Sequence, residues 1–376
     1  MGKFAKPLII ALIIVSFISG FILGGFLFKG GGEKFPLLEE TRSIVKRWFV
    51  GKSEINDREL EYGAIRGMVS SLGDPHSAFL TPDERKRMEE AIEGEFEGVG
   101  IIITIKDGVL TVVSPIEGSP AWRAGIKEGD KILEINGEST LKMTLTEAAL
   151  KIRGKRGTKV RLKIMRGDET FTVEITRDVI ILKAVSCRMI GDIGYIKIEA
   201  FRERIYEEFK KSLSYISGEG AKALILDLRN NQGGLLYPAI KVISEFIDEG
   251  ELAVYAIDGD GRRHEWRTGK GEINPDIPLV VLVNRGTASA SEIVAGALKD
   301  YNRAIIIGEK TFGKGTINSL FPLSDGSAVY LSYARWFTPK GHSIEAEGIT
   351  PDLKVEDEKA LDEAISYLRK VLEGKR

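Results

Sequence analysis

The chain has 376 residues, of which 43% are hydrophobic and 29% are charged, so it is long enough for two or three soluble domains with buried cores. Its 54 basic and 55 acidic residues leave a formal net charge of -1, which lacks the basic excess of nucleic-acid-binding proteins. The single cysteine, Cys187, excludes an internal disulfide. Three scattered histidines and no paired cysteines predict no zinc site. We therefore expect no metal and no cofactor.

An uncharged apolar run occupies residues 7–28, with Lys3 and Lys6 before it and Lys29 after it. A helix needs about 20 residues to cross a bilayer, whereas the apolar part of a signal peptide has roughly 7–15. We therefore predict an uncleaved single-pass transmembrane anchor, with a cleaved signal as the alternative. The basic residues 1–6 are expected to stay in the cytoplasm. The rest of the chain then lies in a periplasmic or other extracytoplasmic space.

Residues 29–93 are predicted to form a linker and a helical N-terminal region. Gly30 to Gly32 give a flexible start, and apolar residues at helical spacing follow near Trp48. A second helical pattern over residues 60–72 ends before Gly73-Asp74-Pro75. Thr81 has the position of an N-cap, because a proline follows it at the first helical position.

Residues 94–178 are predicted to form a small β-domain. Short β-rich runs alternate with turn signals such as Asn136-Gly137, and one helix is expected over residues 144–152. The predicted strands cover residues 99–105, 109–114, 131–135, 159–165 and 170–176.

Residues 179–354 are predicted to form an α/β core. Continuous apolar strands over residues 223–228, 277–283 and 304–308 alternate with helices, which indicates a largely parallel sheet that is covered on both faces. A hairpin is expected around Gly259-Asp260-Gly261, and a C-terminal helix within residues 355–376. The fold class is therefore a multidomain α+β and α/β protein.

Small residues crowd the segment from Asn284 to Glu292, where a strand is predicted to turn into a helix. Sites in open α/β sheets gather at the carboxyl ends of strands, and the N–H groups of the new helix can stabilise an oxyanion there. Ser289 is therefore a candidate nucleophile. The alternative is that Ser289 or Ser291 only caps the helix, a role that fits Ser291 well.

A serine nucleophile needs a base, and Lys314 follows the next predicted strand. Both loops open on one edge of the sheet if the two strands are neighbours. A lysine acts as a base only when a desolvated site favours its neutral form. The alternative is a solvated loop lysine. The pattern Gly308-x-x-x-x-Gly313-Lys314 also resembles the start of a phosphate-binding loop, but Gly315 replaces the hydroxyl residue that holds magnesium, so we reject a nucleotide site.

A third segment runs from Asp227 to Gly234 after the predicted strand 223–228. The pair Gly233-Gly234 lets the backbone approach a ligand and turn an N–H group toward it. We interpret the pair as a source of an oxyanion donor. The alternative is an ordinary turn that starts a helix.

Together these three segments resemble the C-terminal processing peptidases, which are tail-specific serine proteases. The resemblance covers residues 40–352, including Gly73-Asp74-Pro75-His76-Ser77, with Thr287 in place of one serine. It implies that Ser289 is the nucleophile, that Lys314 is the general base, and that the N–H groups of Ala290 and of Gly233 or Gly234 form the oxyanion hole. Many members carry a glutamine four residues after the lysine, to hold its amine. This chain has Asn318 there, so Thr316 or Ser319 is an alternative holder of the lysine.

The β-domain resembles PDZ domains, most clearly in residues 129–137. The resemblance implies that a carboxylate-binding loop occupies the positions Gly98, Val99, Gly100 and Ile101, and that a peptide adds to the sheet edge beside it. Ile101 and Ile103 are expected to line the pocket for an apolar C-terminal side chain. Arg153 is expected to add charge near the groove, unless it is an ordinary surface arginine.

Two classes of function follow. The first is an active serine endopeptidase that recognises apolar C-terminal tails of extracytoplasmic proteins through its PDZ domain and cleaves with a Ser–Lys pair. The second is a membrane-tethered PDZ adaptor with an inactive peptidase fold. Retention of both Ser289 and Lys314 favours the enzyme. The partners are then protein substrates and the membrane, and the terminal helical segments are compatible with a homodimer.

Overall fold

The structure is a computed structural model that describes residues 35–106, 108–143, 145–271 and 276–374. The predicted anchor over residues 7–28 and the residues before it lie outside this part of the chain. None of the helices in the described ranges combines the length and the apolar character that a membrane span requires. The chain divides into two compact units, residues 1–72 and residues 73–376.

The described part of the first unit consists of helix α1 (Pro36–Trp48), a short 3₁₀ turn and helix α2 (Asp57–Ser70). Proline at the first position opens α1, and Asn56 caps α2 by accepting a hydrogen bond from the Arg58 N–H. The predicted second helix therefore begins three residues earlier than its apolar pattern indicates. The Lys46 ammonium pairs with Asp57 at 2.5 Å and so ties the end of α1 to the start of α2.

The second unit opens with strand β1 (Ala78–Leu80) and helix α3 (Pro82–Glu93). The predicted cap at Thr81 is confirmed, because the Thr81 hydroxyl accepts from the Glu84 N–H and the Glu84 carboxylate accepts from the Thr81 N–H. Gly94, in the left-handed conformation with φ 75°, ends α3 and turns the chain into the β-domain.

The β-domain is a six-stranded sheet with strand order β3-β4-β5-β7-β8 and β6 paired to β5. Its elements are β3 (Ile101–Lys106), β4 (Val109–Pro115), α4 (Pro120–Arg123), β5 (Lys131–Ile135), β6 (Glu138–Ser139), α5 (Leu145–Ile152), β7 (Lys159–Arg166) and β8 (Glu169–Thr176). The predicted strand over residues 99–105 is wrong at its start, because Val99 and Gly100 form a loop. Among the described residues β3 has no strand on its outer side, and α5 packs beside it.

A separate two-stranded ribbon carries the chain into and out of the β-domain. Strand β2 (Glu95–Gly98) enters, and strand β9 (Asp178–Ile181) leaves antiparallel to it, with Gly98 opposite Asp178. Arg177, at the start of the exit strand, is buried and donates hydrogen bonds to the carbonyl groups of Lys151 and Ile152 at the end of α5. The β-domain is therefore an insertion whose two ends lie side by side.

The core has a six-stranded sheet with the order β10-β11-β12-β15-β16-β19, parallel except for the β10–β11 pair. Its strands are β10 (Val185–Ile190), β11 (Ile193–Ile198), β12 (Ala223–Asp227), β15 (Leu279–Val283), β16 (Ile305–Gly308) and β19 (Leu353–Lys354). Helices α6 (Ile205–Gly218), α7 (Leu236–Ser244) and α8 (Ala290–Asp300) cover one face, and α9 (Asp357–Leu372) covers the other. The prediction of a largely parallel sheet with both faces buried is confirmed.

A second, antiparallel sheet adjoins this core and was not predicted. It consists of β1, β18 (Ala328–Phe337), β13 (Leu252–Asp258) and β14 (Arg263–Arg267), with β17 (Thr316–Pro322) paired to β18. The hairpin predicted around residues 259–261 forms, but it belongs to this sheet rather than to the parallel one. Strand β17 begins two residues after Lys314, so this sheet supports the candidate base.

Candidate active site

Three loops meet at one edge of the parallel sheet. Strands β12, β15 and β16 are consecutive neighbours, and the loops that follow them begin after Asp227, Val283 and Gly308. Because the strands run parallel, the candidate oxyanion loop, the nucleophile loop and the base loop all open on the same side. The sequence-based condition for a Ser289–Lys314 pair, that β15 and β16 are neighbours, is therefore met.

Ser289 stands directly before α8 in an unusual backbone conformation, with φ 55° and ψ -120°. A side-chain-bearing residue with positive φ is strained, and such strain is typical of functional turns. The loop around it is fixed by bonds to the oxyanion loop, since the Ala288 N–H and the Ser291 hydroxyl both donate to the Asn231 carbonyl, at 3.0 Å each. Ser291 is fully buried in this role, whereas Ser289 is only partly buried.

Lys314 lies in the loop that leads from β16 to β17, and its side chain is partly buried. Burial lowers its pKa, and the nearby negative charges of Asp74 and Glu345 oppose this shift. The Lys314 carbonyl accepts a 2.8 Å hydrogen bond from the indole N–H of the buried Trp336, which fixes the backbone under the amine. A lysine with a depressed pKa is closer to the neutral form that a general base requires.

The carboxylate of Glu292 joins the nucleophile loop to the base loop. One oxygen accepts from the N–H groups of Ser289 (2.8 Å) and Lys314 (3.0 Å). The other accepts from the Thr311 hydroxyl (2.5 Å) and the Gly313 N–H (2.7 Å). Glu292 has no exposed surface, and its burial raises its pKa against the effect of these four bonds. Sequence reasoning assigned Glu292 no role, although Ser-x-x-Glu at a helix start was a signal for its bond to the Ser289 N–H.

The candidate oxyanion donors surround a small space beside Ser289. A Cβ atom added to Gly233 would lie 2.8 Å from the Ser289 Cβ and 2.9 Å from the Ala290 nitrogen. The Gly233 N–H donates to the Asn231 side-chain oxygen at 2.9 Å. Within the described part of the chain, the N–H groups of Gly234 and Ala290 donate no hydrogen bond. Of the predicted donors, these two are therefore free for a ligand in this state.

A buried ionic network underlies the oxyanion loop. Asp227 is fully buried and accepts from the Tyr195 hydroxyl (2.7 Å) and from the Arg229 guanidinium (2.6 Å). Burial and the Asp227 charge raise the pKa of Tyr195, so its hydroxyl keeps its proton. Arg229 also donates to Asp357 at the start of α9. This network fixes the end of β12, from which the oxyanion loop departs.

The turn over residues 73–77 lies beside the loop that carries Lys314, the candidate base. Its Ser77 hydroxyl accepts from the Ser332 N–H, and the His76 carbonyl accepts from the Asn318 amide N–H at 2.9 Å. The His76 ring makes an edge contact with the ring of Phe312, with centroids 6.4 Å apart. These contacts place Asp74 near enough to Lys314 to act on its charge. No local pattern in the sequence joins this turn to Lys314, because the contact forms only in the folded chain.

Asn318 is held by its amide nitrogen, which also donates to the Ser332 hydroxyl at 3.0 Å. Its amide oxygen is buried and has no hydrogen-bond partner among the described residues, and the same is true of the Thr316 hydroxyl oxygen. Ile317 packs against the main core, so strand alternation places Thr316 and Asn318 on the opposite face of β17. Ser319 lies on the Ile317 face, which separates it from the other two.

The predicted carboxylate-binding loop lies between β2 and β3. Val99 is buried in the core of the β-domain, while Ile101 and Ile103 pack partly against it. The carbonyl groups of Val99 and Gly100 accept bonds from Ala121 and Ile116, whereas the N–H groups of these two loop residues are unpaired within the described chain. The loop can therefore present N–H donors to an anion.

Arg153 lies next to this loop, with its Cα 3.7 Å from the position of a Cβ on Gly98. Its guanidinium stacks on the Phe96 ring at 4.4 Å and pairs with Glu90 of α3 at 3.0 Å. The structure therefore places Arg153 beside one end of the predicted groove. There its guanidinium forms an ion pair with the Glu90 carboxylate.

Comparisons with known proteins give one family. A model described as peptidase family S41 matches residues 192–355, and a PDZ domain model matches residues 111–166. The carboxy-terminal processing protease CtpA of Bacillus subtilis (strain 168) is 40% identical over 352 residues, 93% of this chain and 75% of that protein. The carboxy-terminal-processing protease of Bartonella bacilliformis is 40% identical over 311 residues, 80% of this chain and 70% of that protein. The solved photosystem II D1 C-terminal processing protease has 31% identity and a TM-score of 0.54, covering 88% of this chain and 96% of that chain.

Proposed function

This chain belongs to peptidase family S41 and is a carboxy-terminal processing serine protease, and we propose that it cleaves with Ser289 as nucleophile and Lys314 as general base. The observation that carries this assignment is the Glu292 carboxylate, one oxygen of which binds the backbone N–H groups of both residues. One buried group thus fixes the positions of both backbones.

In the proposed reaction neutral Lys314 takes the proton of the Ser289 hydroxyl while the serine oxygen bonds to the scissile carbonyl carbon. The N–H groups of Ala290 and Gly234 stabilise the oxyanion, and that of Gly233 joins them only if it leaves the Asn231 oxygen. Lys314 then gives the proton to the leaving amine as the C–N bond breaks. A water molecule, deprotonated by Lys314, attacks the acyl-enzyme and releases the product acid, and the proton returns to Ser289. Asn318 orients the lysine.

We further propose that the PDZ domain selects substrates by their C-termini. The unpaired N–H groups of Val99 and Gly100 suit a terminal carboxylate, and the free edge of β3 suits an extended peptide. Ile101 supports an apolar pocket, and Arg153 adds positive charge at the loop. Gly98 has no side chain that would block the approach of a peptide to this loop. The apolar run over residues 7–28 supports a single-pass anchor with the catalytic part outside the cytoplasm.

The test uses the full chain in detergent micelles and an unfolded protein ending in apolar residues, followed by mass spectrometry. We expect cleavage by the parent chain and none by Ser289→Ala or Lys314→Ala. A matched substrate with an amidated C-terminus should be cut more slowly, because it lacks the carboxylate. Equal cleavage by Ser289→Ala would refute the nucleophile. Tail binding without cleavage by any form would instead support an adaptor.

A further inference from the structure

The oxygen atoms of Thr316 and Asn318 form an unfilled pair of acceptors on the face of β17 that follows Lys314. Both oxygens are buried, and neither has a partner among the described residues. A buried polar atom without a hydrogen bond costs about 1–3 kcal/mol, so such a pair in one place calls for a ligand or a role.

The surroundings restrict which donor can reach these oxygens. The Asn318 amide cannot rotate freely, because its nitrogen is bound to the His76 carbonyl and the Ser332 hydroxyl. Its oxygen is therefore held in one direction. Thr316 and Asn318 share the face of β17 opposite the core-facing Ile317, and Lys314, two residues before the strand begins, carries the side-chain donor nearest in sequence to both oxygens.

We propose that Thr316 is a positioning residue of the general base, and that its hydroxyl oxygen and the Asn318 amide oxygen together accept the two N–H groups of neutral Lys314. An amine nitrogen is tetrahedral, with two N–H bonds, one bond to carbon and one lone pair. When two oxygens accept both N–H groups, the lone pair has one remaining direction, which the Ser289 hydroxyl uses. This inference rests on the proposed Ser–Lys function.

The proposal also accounts for the shorter amide at position 318. Asparagine offers the same single amide oxygen as the glutamine that many similar proteases carry, on a side chain one methylene shorter. Thr316 supplies the second contact from two residues away. Ser319 lies on the other face of the strand and does not contribute.

The charged groups that face Lys314 influence the pKa of its amine. The carboxylates are Asp74 from the turn over residues 73–77, Glu345 from the loop after β18, and Glu292 beneath the backbone. His76 belongs to the same turn, and Arg335 lies opposite Thr316 on β18. Substituting Thr316 leaves all of these charges in place. An acceptor oxygen favours the ammonium form, so its removal lowers the pKa of Lys314.

The test compares the parent chain with Thr316→Val, which keeps the shape and removes the oxygen, and with Thr316→Ser, which restores it. Loss of one hydrogen bond to the reacting amine should reduce the plateau kcat/KM on the order of 10- to 100-fold. The acid limb of the pH profile should move to lower pH in the valine variant and return in the serine variant. Thr172→Val, the same change on exposed β8 of the PDZ domain, controls for an unspecific effect.

A second measurement does not need activity. NMR titration of ¹³C-labelled lysine, with the Lys314 signal assigned through Lys314→Arg, reads the pKa of that amine directly. We expect a lower pKa in Thr316→Val than in the parent, and Thr316→Ala replaces the valine variant if that variant fails to fold. An unchanged pKa, or a loss of rate without any shift of the acid limb, would overturn the proposal. Cleavage that persists in Ser289→Ala would refute the proposed function, while the NMR result would still decide the role of Thr316.

Discussion

Replacing Glu292 by glutamine should damage both stability and catalysis, although the two side chains have nearly the same shape. The carboxylate accepts four hydrogen bonds, two on each oxygen. A glutamine has one accepting oxygen, so whichever way its amide turns, two donors lose their acceptor. At about 1–3 kcal/mol for each unpaired buried donor, the loss of unfolding free energy is about 2–6 kcal/mol. Relief from burying a charge offsets part of this loss.

The catalytic effect follows from geometry. If the amide nitrogen faces Ser289 and Lys314, it repels both N–H groups, and a shift on the order of 1 Å costs roughly 100-fold in rate. Urea unfolding and kcat/KM measure the two effects. Glu208→Gln is the matched control, because one Glu208 oxygen accepts both of its backbone donors, from Ala184 and Val185, and a glutamine oxygen can do the same. A Glu292→Gln variant as stable and as active as Glu208→Gln would refute this reasoning.

Three further predictions concern single positions. Lys314→Met should raise the unfolding temperature at about pH 7, because burial lowers the Lys314 pKa and the folded chain therefore binds that proton more weakly than the unfolded chain. Parent stability rises with pH for the same reason, so the gain should shrink as the pH approaches 10.5, the ordinary pKa of lysine. Gly233→Ala should abolish cleavage by placing a methyl group beside Ser289 at φ 96°, whereas Gly191→Ala, at φ 64° in open space, should retain it. Gly100→Ala should weaken binding of a carboxylate-ended peptide, measured by calorimetry, because its Cβ would lie 2.4 Å from the Ser119 Cβ; Gly108→Ala, also at positive φ but without neighbours, should bind normally.

The parallel core could be predicted because its signal is local. Strand β12 is apolar at four consecutive positions and buried at all five, and such a run between helices is typical of a strand inside a covered parallel sheet. The strands of the β-domain follow from alternation and turn residues, and β5 agrees with its prediction at both ends. The predicted start of β3 was wrong, because Val99 is apolar but lies in the loop that turns at Gly100.

The contacts around the base could not be predicted, because they join distant segments. Asn318 binds the carbonyl of His76 across 242 positions, and β18 lies between β17, which carries Asn318, and β1, which follows His76. Neither β17 nor β18 has a strong hydrophobic alternation, and a β-bulge interrupts their pairing. In the sequence, Glu292 looks like an ordinary acidic residue in the first turn of a helix. Its four hydrogen bonds depend on the position of the loop around Gly313, and the pairing of β15 with β16 determines that position.

The ribbon of β2 and β9 makes the β-domain a suitable unit for replacement by protein engineering. Because Glu97 and Val179 face each other, the chain enters and leaves this insertion at nearly one place. A foreign domain whose own termini are close can be grafted there without stretching the peptidase core. Under the proposed selection of C-terminal tails by the PDZ domain, we expect that exchanging residues 99–177 alone changes the tail preference and leaves the site around Ser289 in place.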